Sequence, residues 1–144
     1  MKSIFSIILI ALSININAQS RALYFTSAKN TVLKANGSST NVVNTKKLFF
    51  HFYIDEAYVK KGYIRISDDK KFYGADYGVE YKIYKIVLKD NGQYYYWTTD
   101  VGLDGQIVLF VVDKNSSVPN ITEYRYSPVQ NDNTVLKIIQ YSID

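Results

Sequence analysis

Few residue types in this 144-residue chain could perform covalent chemistry. The chain contains no cysteine and a single histidine, His51. Without cysteine it cannot form a disulfide, a thiolate metal site or a cysteine nucleophile. His51 would have to serve in any Ser-His-Asp triad, but it lies in the strand-like run 48–54, and the sequence has no Gly-x-Ser-x-Gly elbow. We therefore predict no catalytic residue, no multi-histidine metal site and no cofactor.

Paired carboxylates are the remaining route to acid-base chemistry. The candidates are Asp55, Glu56, Asp76, Glu80, Asp100 and Asp104. Glycoside hydrolysis requires two such groups at a set separation in one cleft. Most of these acids fall in predicted turns, where aspartate is favoured because its side chain hydrogen-bonds the backbone. We favour a protein that is not an enzyme, and a small carboxylate-dependent hydrolase acting on envelope glycans is the alternative.

The segment Asp100-Val101-Gly102-Leu103-Asp104-Gly105 has some features of a calcium loop. Oxygen-bearing residues stand at short spacing, and glycines permit tight bends. The segment lacks the alternate acids and the distant glutamate of an EF-hand. A β-turn with a left-handed glycine accounts for the same residues, so we predict no metal ligand here.

The strongest local signal is a β-hairpin at Asn91-Gly92. Asn-Gly favours a type I′ turn, because both central residues need positive φ. A two-residue loop pairs Leu88 with Tyr95 and Ile86 with Trp97. The predicted core face then consists of Tyr84, Ile86, Leu88, Tyr95 and Trp97. The predicted opposite face consists of Lys85, Val87, Lys89, Tyr94 and Tyr96.

Tyrosine is the most distinctive residue type, with 14 Tyr beside 7 Phe and 1 Trp. Exposed Tyr and Trp on a rigid sheet could stack on sugar rings or form a protein-binding surface. Tyrosine also suits strands in general, and alternation sends about half of such rings inward whatever the register. From the run Tyr94-Tyr95-Tyr96-Trp97 we predict Tyr94, Tyr96 and Trp97 as ligand-binding residues.

Alternating and β-rich sequence recurs along the chain, without sustained helical spacing. The predicted strands are 21–27, 47–54, 58–66, 78–90, 93–100, 106–113, 120–127 and 134–142. Short turn clusters separate them. The run 107–112 is apolar on both faces, as expected of a central strand covered on two sides. We predict an all-β fold: one antiparallel meander of about eight strands, closed as a small barrel or sandwich.

Residues 1–18 have the pattern of a secretory signal peptide. Lys2 is followed by an apolar run over 4–12, and Ala18 provides a small residue before a cleavage site at Gln19. Polar residues interrupt the apolar run well short of the roughly 20 residues that span a bilayer. We predict a signal peptide over 1–18 and a single β-domain over 19–144 with no membrane span. The protein would be exported to the periplasm or the extracellular space.

The charge pattern narrows the choice of partner. The chain has 17 Lys and Arg against 13 Asp and Glu, a net charge of +4. Basic and acidic residues are interspersed, whereas nucleic-acid binding needs clustered basic residues. The expected partner is therefore a protein, a glycan or a small ligand, and not a nucleic acid.

Four stretches carry a resemblance: 22–28 (ALYFTSA), 81–86 (YKIYKI), 100–109 (DVGLDGQIVL) and 124–126 (YRY). In these four stretches the chain resembles small uncharacterised exported β-proteins of Gram-negative bacteria. The resemblance implies export and an all-β fold, but no activity and no site residue. The chain lacks the cysteine pair of lysozyme-inhibitor barrels and the Gly-x-Trp motif of lipocalins.

These observations predict an exported, non-catalytic binding or interaction module of unknown ligand that uses an exposed aromatic sheet face. Besides the glycan hydrolase, a second alternative is a barrel that carries a small apolar ligand in its interior. That function would require an interior that side chains do not fill.

Overall fold

The structure is a computed structural model of the full chain. It describes residues 20–27, 29–33, 39–44, 47–68 and 78–144. The predicted signal peptide over 1–18 and the candidate acid Asp76 lie outside the described residues. The described part is all-β, as predicted, with a single short 3-10 turn at Val59–Lys61.

Ten strands are present. In chain order they are β1 (Ser20–Ser27), β2 (Lys29–Leu33), β3 (Ser39–Asn44), β4 (Leu48–Asp55), β5 (Tyr63–Ser67), β6 (Val79–Leu88), β7 (Tyr94–Asp100), β8 (Ile107–Asp113), β9 (Asn120–Tyr126) and β10 (Val135–Ser142). Eight of them correspond to the eight predicted strands. The additional pair, β2 and β3, falls in what the sequence predicts to be a long connection.

All neighbouring strands pair antiparallel in one curled sheet, in the order β1-β4-β5-β6-β7-β8-β9-β10-β2-β3. From β4 to β10 the neighbours are consecutive, which is the predicted meander. One residue separates β1 from β2, yet β1 pairs with β4 at one flank while β2 pairs with β10 at the other. The backbone N–H of Asp144 also donates to the carbonyl of Thr26 at 3.0 Å. The two flanks of this half-barrel therefore meet where β1 and β2 succeed each other in the chain.

The interior of the curl is filled by aromatic rings from several strands. The ring of Phe52 lies edge-on to Tyr96 and Phe110, with centroids 5.0 Å and 6.4 Å away. Phe50 meets Tyr141 edge-on at 4.9 Å. Edge-to-face pairs of this kind are favourable beyond the area they bury. Side chains thus occupy the space that an apolar ligand would need.

The hairpin between β6 and β7 differs from the sequence prediction by one residue. The N–H of Lys89 donates to the carbonyl of Gln93 at 2.9 Å, and the N–H of Gly92 donates to the carbonyl of Lys89 at 2.9 Å. The loop therefore has three residues, 90–92. Gly92 has φ of 81°, as the left-handed position of such a loop requires. The predicted two-residue loop is wrong.

This one-residue shift reverses the faces of β7, because strand side chains alternate with a period of two. Tyr94 and Tyr96 face the interior, and Tyr96 is 2% exposed. Tyr95 and Trp97 face outward and are half-buried. The prediction that Tyr96 belongs to an exposed face is wrong, and so is the prediction that Tyr95 and Trp97 face the core.

A bulge in β6 places one further residue on the outer face. Ile83 pairs with Thr98 but Lys85 pairs with Trp97, so Tyr84 is the extra residue. Ile83 is buried in the core, whereas Tyr84 is 39% exposed. A bulge sets two residues of one strand opposite one of its neighbour. The predicted core position of Tyr84 is therefore also wrong, as is that of Leu88, which is exposed.

Candidate functional site on the outer face of the sheet

Five aromatic side chains lie on the outer face of β6 to β9, and we call this surface the aromatic face. Its members are Tyr84, Tyr95, Trp97, Tyr124 and Tyr126. They come from β6, β7 and β9, while β8 contributes Leu109 and Val111 between them. Leu109 and Val111 are 5% and 7% exposed. This agrees with the predicted central strand covered on both faces.

Strand pairing fixes the relative positions of these side chains. Trp97, Leu109 and Tyr124 are aligned across β7, β8 and β9. The ring of Trp97 lies 5.8 Å from that of Tyr126, measured between centroids. Every ring of the aromatic face is half-buried except Tyr84, which is exposed. The face is therefore a partly solvated aromatic surface on a hydrogen-bonded support.

The tyrosine hydroxyls of this face lie within electrostatic reach of one another. Burial raises the pKa of Tyr84, Tyr124 and Tyr126 above the ordinary value. Tyr95 raises the pKa of Tyr124 further, and Tyr124, Tyr84 and Tyr95 do the same for Tyr126. These phenols consequently stay neutral and able to donate hydrogen bonds at neutral pH.

Three lysines of β6 and its turn border the aromatic face: Lys82, Lys85 and Lys89. All three are exposed. Lys82 and Lys85 are aligned with the outward residues Thr99 and Trp97 of β7. The ammonium group of Lys89 lies 5.1 Å from the centroid of the Tyr95 ring, within cation–π distance.

The structure separates the three predicted binding residues. Trp97 lies on the aromatic face, Tyr96 lies in the core, and Tyr94 is half-buried against it with its ring stacked 6.1 Å from that of Tyr96. Sequence reasoning did not place Tyr124 and Tyr126 in the site. Their spacing of two residues, which puts both rings on one side of a strand, is the signal that could have found them.

The candidate aspartates of the hydrolase alternative stabilise turns. Asp55 accepts hydrogen bonds from the N–H groups of Ala57 and Tyr58 at 3.0 and 2.9 Å. Asp100 accepts one from the N–H of Gly102 at 2.8 Å. Asp104 is exposed in the turn that follows β7. These roles match the turn preference of aspartate noted above.

The candidate glutamates are paired with arginines instead. Glu56 lies 2.8 Å from the guanidinium of Arg21, and Glu80 lies 2.7 Å from that of Arg65. Within the part of the chain that the structure describes, no three histidine or carboxylate side chains come together as a potential metal site. The described candidate acids are thus divided among separate turns and ion pairs.

Comparison with known proteins assigns no family. No family model, curated protein or solved structure matches the chain. The resemblance to exported β-proteins of Gram-negative bacteria stays a prediction. Among residues 20–27, 29–33, 39–44, 47–68 and 78–144, no helix has the length and apolar character needed to cross a bilayer.

A charged network lies inside the curl near one end of the sheet, and sequence reasoning missed it. Glu123 is 1% exposed. It accepts hydrogen bonds from Arg125 and, at 2.6 Å, from the hydroxyl of Tyr141. Arg125 also donates to the hydroxyl of Tyr81 at 2.7 Å and lies 3.9 Å from the carboxylate of Asp100. The i, i+2 spacing of Glu123 and Arg125 on one strand is the signal for this network.

The polar groups of this network are hydrogen-bonded to one another and face the interior of the curl. The network is therefore part of the core. Burial would lower the pKa of Arg125, but the Glu123 carboxylate and the Tyr81 phenol raise it, and the net direction is upward. Burial, followed by the neighbouring Glu123 charge, raises the pKa of both Tyr81 and Tyr141. Arg125 therefore stays charged beside Glu123, and the two phenols stay neutral.

The buried tyrosines predict alkaline unfolding. Burial raises the pKa of Tyr96 from 10.0 to about 12. From pH 10 to about 12 the unfolded chain loses this proton and the folded chain keeps it. The free energy of unfolding therefore falls by about 1.4 kcal/mol per pH unit for this residue alone. Tyr81 and Tyr141 act in the same direction.

Phenolate absorbance and circular dichroism, followed together from pH 8 to 13, test this expectation. We expect a cooperative loss of strand signal above pH 10, accompanied by a late step in phenolate formation. Tyr96→Phe, which lacks the ionisable group, should lessen the pH dependence. Titration of all 14 tyrosines near pH 10 with the sheet intact would contradict the burial described above.

Proposed function

We propose that this chain is an exported, non-catalytic binding module that holds a saccharide chain on the aromatic face. The observation that carries the proposal is the group of partly exposed rings around Trp97, aligned on hydrogen-bonded strands. Tyr and Trp offer a large flat contact area at a low cost in conformational entropy. The C–H groups on the face of a sugar ring fit such surfaces, because the face of an aromatic ring carries negative charge density. The signal-peptide pattern of residues 1–18 supports export.

The support beneath the rings favours binding without rearrangement. Leu109 and Val111 are buried between the rings, and β7 to β9 pair continuously. Because this surface is already ordered, ligand binding costs little further conformational entropy. Neutral tyrosine hydroxyls at its border can hydrogen-bond to the hydroxyls of a sugar.

The alternatives have less support. A hydrolase needs two convergent carboxylates, and the described candidates stabilise separate turns or pair with arginine. A carrier of an apolar ligand needs interior space, and rings such as Phe52 and Phe110 occupy the interior.

Trp97 is the only tryptophan of the chain, so its fluorescence reports on the aromatic face alone. We expect saturable changes in emission when the purified protein is titrated with soluble hydroxyethyl cellulose or polygalacturonate. In affinity electrophoresis through the same polymers, Trp97→Ala and Tyr126→Ala should each weaken retention at least about tenfold, the effect of losing a central interface residue.

Tyr24→Ala is the matched control. Tyr24 is an exposed aromatic residue on β1, which lies four strands away from β7 in the sheet. This variant should leave retention unchanged. The proposed function would be overturned if the wild-type protein were retained in neither polymer. It would also be overturned if a folded Trp97→Ala variant were retained as strongly as wild type.

A further inference from the structure

The arginines of the described chain differ from the lysines beside the aromatic face in their ion pairing. Each of the arginines, Arg21, Arg65 and Arg125, is paired with a carboxylate at its own position in the fold. Lys82, Lys85 and Lys89 are exposed, and none forms an ion pair with another described residue. Their charges are therefore available to a ligand at the border of the aromatic face.

Few acids oppose these lysines on the same side of the sheet. Two described acids occupy outward positions on β6 to β9, Glu80 and Asp113, and the exposed Asp90 follows Lys89 in the turn. Glu80 is paired with Arg65. Asp113 accepts a hydrogen bond from the side-chain amide of Gln93 at 2.9 Å, and this bond together with the N–H groups of Asn115 and Ser116 lowers its pKa. The three lysines outnumber Asp90 and Asp113, so the surface formed by the aromatic face and the lysines carries a net positive charge.

The lysines also have the shape of a row. They lie along one strand and its turn over eight residues, so the row is at most about 23 Å long at about 3.3 Å per residue step. Rings of the aromatic face run beside this row: Tyr84 on the same strand, and Tyr95 and Trp97 on the next. An extended polymer lying along β6 would meet flat rings and cations alternately.

Resting on the proposed function, we propose that the saccharide held by the aromatic face is an acidic polysaccharide whose anionic groups pair with Lys82, Lys85 and Lys89. Stacking on the rings accounts for the sugar part of the ligand, and the three exposed lysines account for its charge. A single-stranded nucleic acid would also use rings and cations. The chain has a net charge of only +4, and its basic and acidic residues are interspersed. Because nucleic-acid binding relies on many contacts between phosphates and basic residues, we favour the polysaccharide over the nucleic acid.

The test compares polymers of different charge. Affinities for polygalacturonate, neutral hydroxyethyl cellulose and an oligodeoxythymidylate are measured at low salt and at about 1 M salt, where the screening length is about 3 Å. We expect polygalacturonate to bind about tenfold more tightly than the neutral polymer at low salt, with this advantage lost at high salt.

Substitution of the three lysines tests whether their charges cause the preference for polygalacturonate. The variant Lys82→Gln/Lys85→Gln/Lys89→Gln should lose about tenfold in affinity for polygalacturonate, as expected of three exposed ion pairs, and keep its affinity for hydroxyethyl cellulose. The control variant Lys60→Gln/Lys61→Gln/Lys137→Gln removes the same charge from exposed positions elsewhere and should behave like wild type.

The outcomes separate this inference from the proposed function. Equal binding of both polysaccharides, unaffected by the lysine variant, overturns the inference and leaves the proposed function standing. Failure to bind either polysaccharide overturns both. Tighter binding of oligodeoxythymidylate than of polygalacturonate overturns the inference in favour of a nucleic acid.

Discussion

Replacing Tyr96 by alanine is expected to lower the free energy of unfolding by about 3–5 kcal/mol, the usual cost of deleting a large buried aromatic side chain. Tyr96 is 2% exposed, and its ring packs edge-on against Phe52 at 5.0 Å and stacks on Tyr94. The alanine variant would leave a cavity among rings that the curled sheet holds in place. Urea denaturation followed by circular dichroism measures the loss.

The adjacent Tyr95 provides the matched control. It is the same residue type on the same strand, but it faces outward and is half-buried beside Lys89. Tyr95→Ala should cost about 1 kcal/mol, which is ordinary for a partly exposed position. The opposite ranking, with Tyr95→Ala much the more damaging, would mean that the hairpin has the two-residue loop and reversed faces.

Replacing Arg125 by methionine is expected to cost about 3 kcal/mol, because it leaves the carboxylate of Glu123 buried without a countercharge. Glu123 is 1% exposed, whereas the side chain of Arg125 retains 24% exposure, so we expect the lower end of the range for a broken buried pair. Thermal and urea denaturation at neutral pH measure the effect.

Two further variants separate the charge effect from lost packing. Glu123→Gln combined with Arg125→Met removes both charges while an amide oxygen still accepts from Tyr141, and it should recover part of the loss, because Asp100 still lacks the countercharge of Arg125. Arg65→Met breaks the more exposed pair with Glu80 and should cost about 1 kcal/mol or less. Equal costs for Arg65→Met and Arg125→Met would show that Glu123 is not buried.

The strands of the meander could be predicted from sequence because their pattern is local. β7 and β8 lie within a residue or two of their predicted bounds, since apolar alternation and turn residues determine where a strand begins and ends. β2 and β3 lack this pattern. β2 has the sequence KNTVL and is a strand because it pairs with β10, a contact distant in sequence.

The faces of β7 could not be predicted with the same success. Asn91-Gly92 is compatible with loops of two or three residues, and the choice depends on the Lys89–Gln93 hydrogen bond rather than on composition. A difference of one residue moved Tyr96 from the predicted binding surface into the core. Of the predicted site, only Trp97 lies on the aromatic face.

The interior network shows a second limit of sequence reasoning. Strand β9 alternates Ile121, Glu123 and Arg125 with Thr122, Tyr124 and Tyr126. Composition alone would place the charged set in solvent and the tyrosines inside. The structure does the reverse, because Arg125 and two buried phenols satisfy Glu123 within the curl.

The most direct test of the proposed binding surface is quenching of Trp97 fluorescence by acrylamide, with and without saturating polygalacturonate. Trp97 is half-buried on the aromatic face and is the only tryptophan, so the signal has one source. We predict that bound polymer lowers the quenching constant of Trp97. An unchanged quenching constant, in a sample where affinity electrophoresis shows the polymer bound, would place the binding site elsewhere on the molecule and contradict the role of the aromatic face.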